Sequence, residues 1–276
     1  MRTLVHQLFY GTRVFVSALV AVGLLFSWLA PLGPAMVYAE VKQSNGQSRS
    51  SSGDSIRVLP LGDSITQGGR RDRPEFTYRY PLYYLAQEAG FAIDYIGSHR
   101  RGLHADAVWP DKDGVPFDLD HEGHYGWTAS QLSRRLPQWL PRYSGPPDIA
   151  LVHVGSNDYE ADSYDDAVLQ PLKDIVSQLR KANPDVIVLV GHVFESGWRA
   201  WWMRLRVEAT VRSMTTKASP VVTVDHHHGW IARPDEKGTH TFDYAHPNER
   251  GQLKMARQWF NAMLPHLRRL VVARPQ

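Results

Sequence analysis

The chain has 276 residues, 43% of them hydrophobic, and a formal charge of +3, enough apolar content for one domain of catalytic size. It contains no cysteine, which excludes disulfide staples, thiolate metal sites and cysteine nucleophiles. With Arg2 and Arg13 set aside in the leader, the remainder is nearly neutral. It shows no dense Lys/Arg face, so a nucleic-acid partner is not expected.

In chain order, Arg2 and Arg13 precede an apolar run, residues 14–30, followed by Pro31, Gly33, Pro34 and the small-residue exit Val37-Tyr38-Ala39. Residues 1–39 therefore read as a secretory signal cleaved after Ala39, placing the mature chain outside the cytoplasm. The run is also near the minimum for crossing a bilayer, so an uncleaved anchor is the alternative and the one expected route to a membrane. Residues 40–55, "EVKQSNGQSRSSSGDS", are polar and Ser/Gly-rich, the composition of a linker.

Beyond the linker, short β-branched runs alternate with helical patterns. "IRVLPLG", "IDYIGS", "DIALVHVG", "VIVLVGHV" and "VVTVD" read as strands buried on both faces, with "PLYYLAQEAG", "ASQLSRRLPQWL", "QPLKDIVSQLRKANP", residues 198–217 and "PNERGQLKMARQWFNAML" as the helices between and after them. The predicted fold is a three-layer α/β/α sandwich around a parallel sheet of about five strands. Residues 98–128 lack periodicity and read as a long surface insertion.

Gly-Asp-Ser-Ile occurs twice, ending in Ile56 and in Ile65. In such sheets the ligand crevice lies at the carboxyl ends of the strands. Ser64 follows an apolar strand, whereas Ser55 follows only linker, so Ser64 is the candidate nucleophile. A serine needs a base and a group to orient that base. Asp243 stands three residues before His246, and Pro247 is expected to open the last helix. Acyl transfer also needs N–H donors for the oxyanion; the Asn157 amide, the Gly126 N–H and the Ser64 N–H are the candidates. Asp63 and Asp158 read as loop braces.

Gly62-Asp63-Ser64, Gly126, Gly155-x-Asn157-Asp158 and Asp243-x-x-His246 stand in the order of the four blocks of the SGNH, or GDSL, hydrolases, which the chain resembles over residues 56–267. The resemblance implies a flavodoxin-like sandwich over a domain of residues 56–270, a Ser64/His246/Asp243 triad and an oxyanion hole from Ser64, Gly126 and Asn157. "LPLGDSIT", "YRYPLYYLAQEAGFAIDYIGS" and "DHEGHYGWTASQL" look most like secreted esterases that deacetylate plant polysaccharides such as xylan. The expected activity is hydrolysis of short acyl esters, acetyl above all, on a small-molecule or polysaccharide substrate, by a monomer without a cofactor. Alternatives are a lipase or lysophospholipase on the same triad, an O-acyltransferase, and a non-catalytic glycan-binding module.

The remaining side chains admit bland readings as well as sharp ones. His153 sits in an apolar strand and reads as a core histidine. His121, Glu122 and His124, with His226, His227 and His228, invite a metal; consecutive strand histidines point to opposite faces, so no metal site is assigned. Trp198, Trp201, Trp202 and Leu205 have helical spacing, which suits a core stripe or a platform for sugar rings. Trp109, Trp127 and Trp198 are the candidate substrate-binding aromatics, and Arg199, Arg204 and Arg206 read as a solvated face.

Overall fold

The computed structural model describes residues 55–194 and 198–273. The leader and residues 40–54 lie outside this range, so the signal and linker readings concern residues not described. Six strands, β1 (Ile56–Gly62), β2 (Ile93–Tyr95), β3 (Glu122–Gly123), β4 (Ile149–His153), β5 (Ile187–Gly191) and β6 (Val221–Val224), form one sheet in which every pairing is parallel. The helices are α1 (Ser64–Gln67), α2 (Arg79–Glu88), α3 (Ala129–Trp139), α4 (Gln170–Ala182), α5 (Trp198–Met214) and α6 (Glu249–Ala273). The strand order is β2-β1-β4-β5-β6, with β3 beside the second half of β1.

Strict alternation of two buried faces explains the layers. In β4 and β5 every residue is buried, as expected where helices cover both sides of a parallel sheet. Ala150, Val152, Val188 and Val190 enter one core with Leu132 and Leu136 of α3, Leu172, Ile175 and Leu179 of α4, and Met203, Val207 and Val211 of α5. Ile149, Leu151, Ile187 and Leu189 enter the other with Leu82 and Ala86 of α2 and Met255, Trp259, Met263 and Leu267 of α6. The chain runs from β1 outward to β2 and then returns past β1 to β4. A crevice therefore opens at the carboxyl ends of β1 and β4, where the direction of winding reverses.

Three local expectations are corrected. Residues 98–128 are not a detached insertion: they contain β3, too short to show a period, and they pack Trp109 and Phe117 into the core over α2. The Trp109 indole donates to the Phe76 carbonyl at 2.9 Å, so this tryptophan is a buried strut and not a surface for substrate. In α5 the core stripe is Ala200, Met203, Arg204, Val207 and Val211, which leaves Trp198, Trp201, Trp202 and Leu205 exposed and Arg204 buried. Two stripes of this helix have helical spacing, and the one without tryptophan took the inward contact. Third, His226, His227 and His228 lie in the loop after β6, not in a strand, with only His226 fully buried.

Arg79 is fully buried under the first turn of the crevice. Its guanidinium donates to the carbonyls of Thr66 at 2.8 Å, Gln67 at 3.2 Å and Leu119 at 3.3 Å, and it lies against the faces of Phe117 and Trp109. It thus satisfies the last carbonyls of α1, a helix too short to satisfy them itself. Burial pulls its pKa down to about 10, which leaves it charged at neutral pH. Arg79→Leu strands those carbonyls and is expected to lower unfolding stability by about 3 kcal/mol. Urea unfolding with an unshifted midpoint would refute this account.

Candidate active site

β1 delivers Ser64 through a turn with no spare volume. A Cβ on Gly62 would collide with Thr66 Oγ1 and the His153 carbonyl, so only glycine lets the strand pass so close to β4. Asp63 caps the turn that follows, its Oδ1 accepting from the Ile65 N–H at 3.0 Å. Ser64 opens α1 and is buried apart from a small accessible edge. Ser55 is at the opposite end of β1, roughly 20 Å away at the rise of an extended strand.

The base arrives from the far end of the chain. His246 Nε2 is 3.1 Å from Ser64 Oγ, and its Nδ1 is 2.9 Å from Asp243 Oδ2 and 3.0 Å from Oδ1. Asp243 Oδ1 also accepts from the backbone N–H groups of Ala245 and His246, which closes the turn around Tyr244 at φ 69°, an unusual angle for an aromatic residue. Pro247 is not the first residue of the last helix, as its spacing suggested. It pairs in a bridge with Thr241, and Asn248 caps α6, its Oδ1 accepting from the Gly251 N–H. Burial would raise the Asp243 carboxyl, but the backbone and ring of His246, with Arg73, hold it down at about 2.

Arg73, Glu75, Tyr125 and Gln67 form the surround that the sequence did not reveal. Arg73 Nη2 donates to Asp243 Oδ2 at 2.9 Å and its Nε to Glu75 Oε2 at 3.1 Å. The Tyr125 ring stacks on His246 at 5.3 Å and 22°, and its hydroxyl donates to Glu75 Oε1 at 3.2 Å. Gln67 Oε1 accepts from the Tyr125 N–H at 2.7 Å, tying the nucleophile turn to the Gly126 segment. Burial pushes the Glu75 carboxyl above its usual range against the pull of His246 and Arg73, and burial with the nearby Glu75 charge pushes the Tyr125 hydroxyl up to about 12. Tyr125 and Glu75 are separated by 50 residues and Arg73 and Asp243 by 170, beyond the reach of any spacing argument.

The oxyanion candidates share the same edge. Gly126 has φ 76° with nothing within 4 Å of where a Cβ would stand, so its backbone is open to approach. Asn157 lies in a helical turn, Ser156–Asp158, directly after β4. One N–H of its amide donates to the Trp127 carbonyl at 2.9 Å, which leaves the other free to face the crevice. Asp158 Oδ2 accepts from the Ala129 N–H at 3.0 Å and so braces α3. His153 is fully buried, and burial pulls it down to about 4, a neutral core histidine.

Trp127 flanks a cavity of about 450 Å³ next to the nucleophile turn, with Gln67, His99, His124, Tyr125, Arg135 and Trp139. Among the described residues His99, Glu122 and His124 bring their ligand atoms within 4.8 Å of one another, while His121 is not part of that cluster. His121 instead accepts from the Gly123 N–H and contacts the Arg101 carbonyl. Both oxygens of Glu122 are already engaged, by Ser98 and His124 on one and by Ser98 and Tyr143 on the other. Trp198 stands on α5 in a separate groove taken up below.

Residues 61–254 match the GDSL-like Lipase/Acylhydrolase family. The chain belongs to that family. It is similar to a multidomain esterase of Ruminococcus flavefaciens, 25% identical over 79% of this chain, and spans about 30% of that relative's length. It is similar in structure to a carbohydrate esterase family 3 protein from Talaromyces cellulolyticus, with 26% identity and a TM-score of 0.63 over 78% of this chain and 99% of the other. An acetyl esterase variant solved with an acetate ion gives 25% identity and a TM-score of 0.64 over the same shares. The GDSL domain is thus a carboxylic ester hydrolase with carbohydrate esterases among its structural neighbours.

Replacing Arg73 leaves Ser64, His246 and Asp243 chemically intact but frees the Asp243 carboxylate from its guanidinium partner. Arg73→Gln is expected to lower kcat/KM for p-nitrophenyl acetate by roughly tenfold, mostly in kcat, because an imidazole no longer held in line transfers its proton less well. A rise confined to KM would contradict that role. Asp243 also couples folding to pH. Its folded pKa lies below the unfolded value, so its stabilisation is present above about pH 4 and is lost as pH falls toward 2. The gap in thermal midpoint between the native protein and Asp243→Asn should close across that window.

Proposed function

We propose that this chain is an exported serine esterase that removes short acyl groups, chiefly acetyl, from carbohydrate through a covalent acyl-enzyme. The observation that carries it is the unbroken row of contacts from Ser64 Oγ through the two ring nitrogens of His246 to Asp243. A hydroxyl has no other use for an imidazole oriented in this way.

In the first half-reaction Ser64 Oγ attacks the ester carbonyl carbon while its proton passes to His246 Nε2. The oxyanion forms against the Ser64 and Gly126 N–H groups and the free N–H of Asn157, donors fixed before the charge appears. Asp243 holds the Nδ1 proton and stabilises the imidazolium. The intermediate collapses, the sugar hydroxyl leaves with the proton from His246, and acetyl remains on Ser64. Water then attacks that acyl carbon, His246 takes its proton, and acetate departs as the proton returns to Ser64. Tyr125 on the face of His246 and Arg73 behind Asp243 keep the ring from turning away between the halves.

The likeness to carbohydrate esterases, and to an acetyl esterase solved with its product anion, supports the substrate class. The leader supports export, with cleavage after Ala39 and residues 40–55 as a tether ahead of the catalytic domain.

Purified protein should release acetate from acetylated xylan, with rates falling steeply as the acyl chain of p-nitrophenyl esters lengthens from two carbons. Ser64→Ala should lower kcat by roughly ten-thousandfold or more, whereas Ser55→Ala should leave it within a factor of two. An optimum at long chains would indicate a lipase, and acetyl appearing on an added sugar would indicate a transferase. A fluorophosphonate probe that fails to label Ser64 would remove the enzyme reading altogether.

A further inference from the structure

The most exposed large apolar side chains of α5 are clustered. Trp198 is 80% exposed, Trp201 56%, Trp202 42% and Leu205 41%, a patch that serves no purpose inside a lone domain. Trp198 and Trp202, with Arg199, Met203 and Arg206, form one wall of a groove of about 620 Å³. Residues 160–165 form the opposite wall, and they continue directly from the turn that holds Asn157 at the end of β4. One residue, Tyr159, separates that turn from the groove wall.

Its lining is neither a lipid face nor a simple charged patch. Glu160, Asp162 and Asp165 stand among Arg199 and Arg206, so donors and acceptors alternate. Three carboxylates would repel an anionic bilayer surface. A pyranose chain offers what this lining lacks: flat C–H faces for indole rings, and neutral hydroxyls that both donate and accept. Of the two groove tryptophans, Trp202 is also held in place. The Arg206 guanidinium lies over Trp202 at 4.6 Å and is itself anchored by Asp165. Arg199 donates to the Ala161 carbonyl at 3.0 Å and lies over Tyr159 at 5.4 Å. An aromatic fixed before binding loses little entropy when the ligand arrives.

We infer that this groove is a second binding site, for a stretch of neutral polysaccharide, which seats the polymer while Ser64 acts on an ester further along the same chain. The inference rests on the proposed action on acylated carbohydrate, but binding is measured apart from it. Ser64→Ala protein should retard on affinity electrophoresis in soluble deacetylated xylan, and adding Trp198→Ala and Trp202→Ala should weaken that binding by roughly tenfold or more. The Phe counterparts of both should keep most of it, which separates a lost platform from a lost fold. With Ser64 restored, the ratio of kcat/KM on acetylated xylan to that on p-nitrophenyl acetate should fall about tenfold in the double Ala variant. Equal xylan binding by parent and double Ala variant, or an unchanged ratio, would overturn the groove while leaving the esterase intact. Xylan binding that depends on the two tryptophans without any acetate release would sustain the groove and sink the proposed reaction. Tryptophan-dependent partition onto phosphatidylcholine/phosphatidylglycerol vesicles with no xylan binding would assign the patch to lipid instead.

Discussion

A hydroxyl and an imidazole separated by 182 residues of chain meet at 3.1 Å, and the rest of the molecule can be understood as what holds them there. On one side the constraint is steric: the Gly62 backbone is pressed against the end of β4, and Ser64 can leave β1 in only one direction. On the other side it is polar. Gln252, near the start of α6, donates to the carbonyls of Pro74 and Pro247, and Arg73 reaches Asp243. The loop carrying His246 is thus bonded to the segment just after the nucleophile, so neither side can shift alone. Packing of α6 against α2 and the sheet fixes the frame on which both rest.

That arrangement gathers charge around one guanidinium, and the signs are balanced locally. Asp243 and Glu75 share the guanidinium of Arg73; Glu75 is almost wholly buried and its carboxyl is raised by burial. In the proposed reaction, a carboxylate that is hard to ionise, placed near the imidazole, would gain most as His246 takes the Ser64 proton. In a medium of low effective dielectric, such a pair interacts more strongly than it would at the surface. Tyr125 completes the balance: its hydroxyl stabilises the ionised Glu75 and its ring excludes water from one face of His246.

The strands and the candidate residues Ser64, His246 and Asp243, which the structure brings into contact, were legible because each is written locally. Buried runs such as "IVLVG" have no polar residue to confuse the reading, and Ser64, Asn157 and His246 each stand beside a strand exit or a helix entry. What the sequence hid was pairing at a distance. β3 has two residues and exists only because β1 offers it an edge. Trp109 is an aromatic in a loop without periodicity, and only the proximity of Phe76, Arg79 and Phe117 makes it core. The metal-like cluster changed membership for the same reason: His99 joins Glu122 and His124 through a β-bridge to residue 121, while His121 itself turns into the interior.

The α5 helix shows how such ambiguity carries functional meaning. Two interleaved stripes satisfied the helical period, and the stripe without tryptophan packed inward. Large rings would have forced the helix outward and opened a void beside β5, at a cost that core packing does not tolerate. Once the stripe from Ala200 to Val211 was buried, the tryptophans had to face outward. The strand exits then determine what they face, because β4 leads through Asn157 into residues 160–165 and β5 precedes α5. The order of the chain therefore joins the groove wall of residues 160–165 to the turn that holds Asn157, and the length of the segment between Asn157 and Asp165 limits how far that wall can stand from the candidate oxyanion donor.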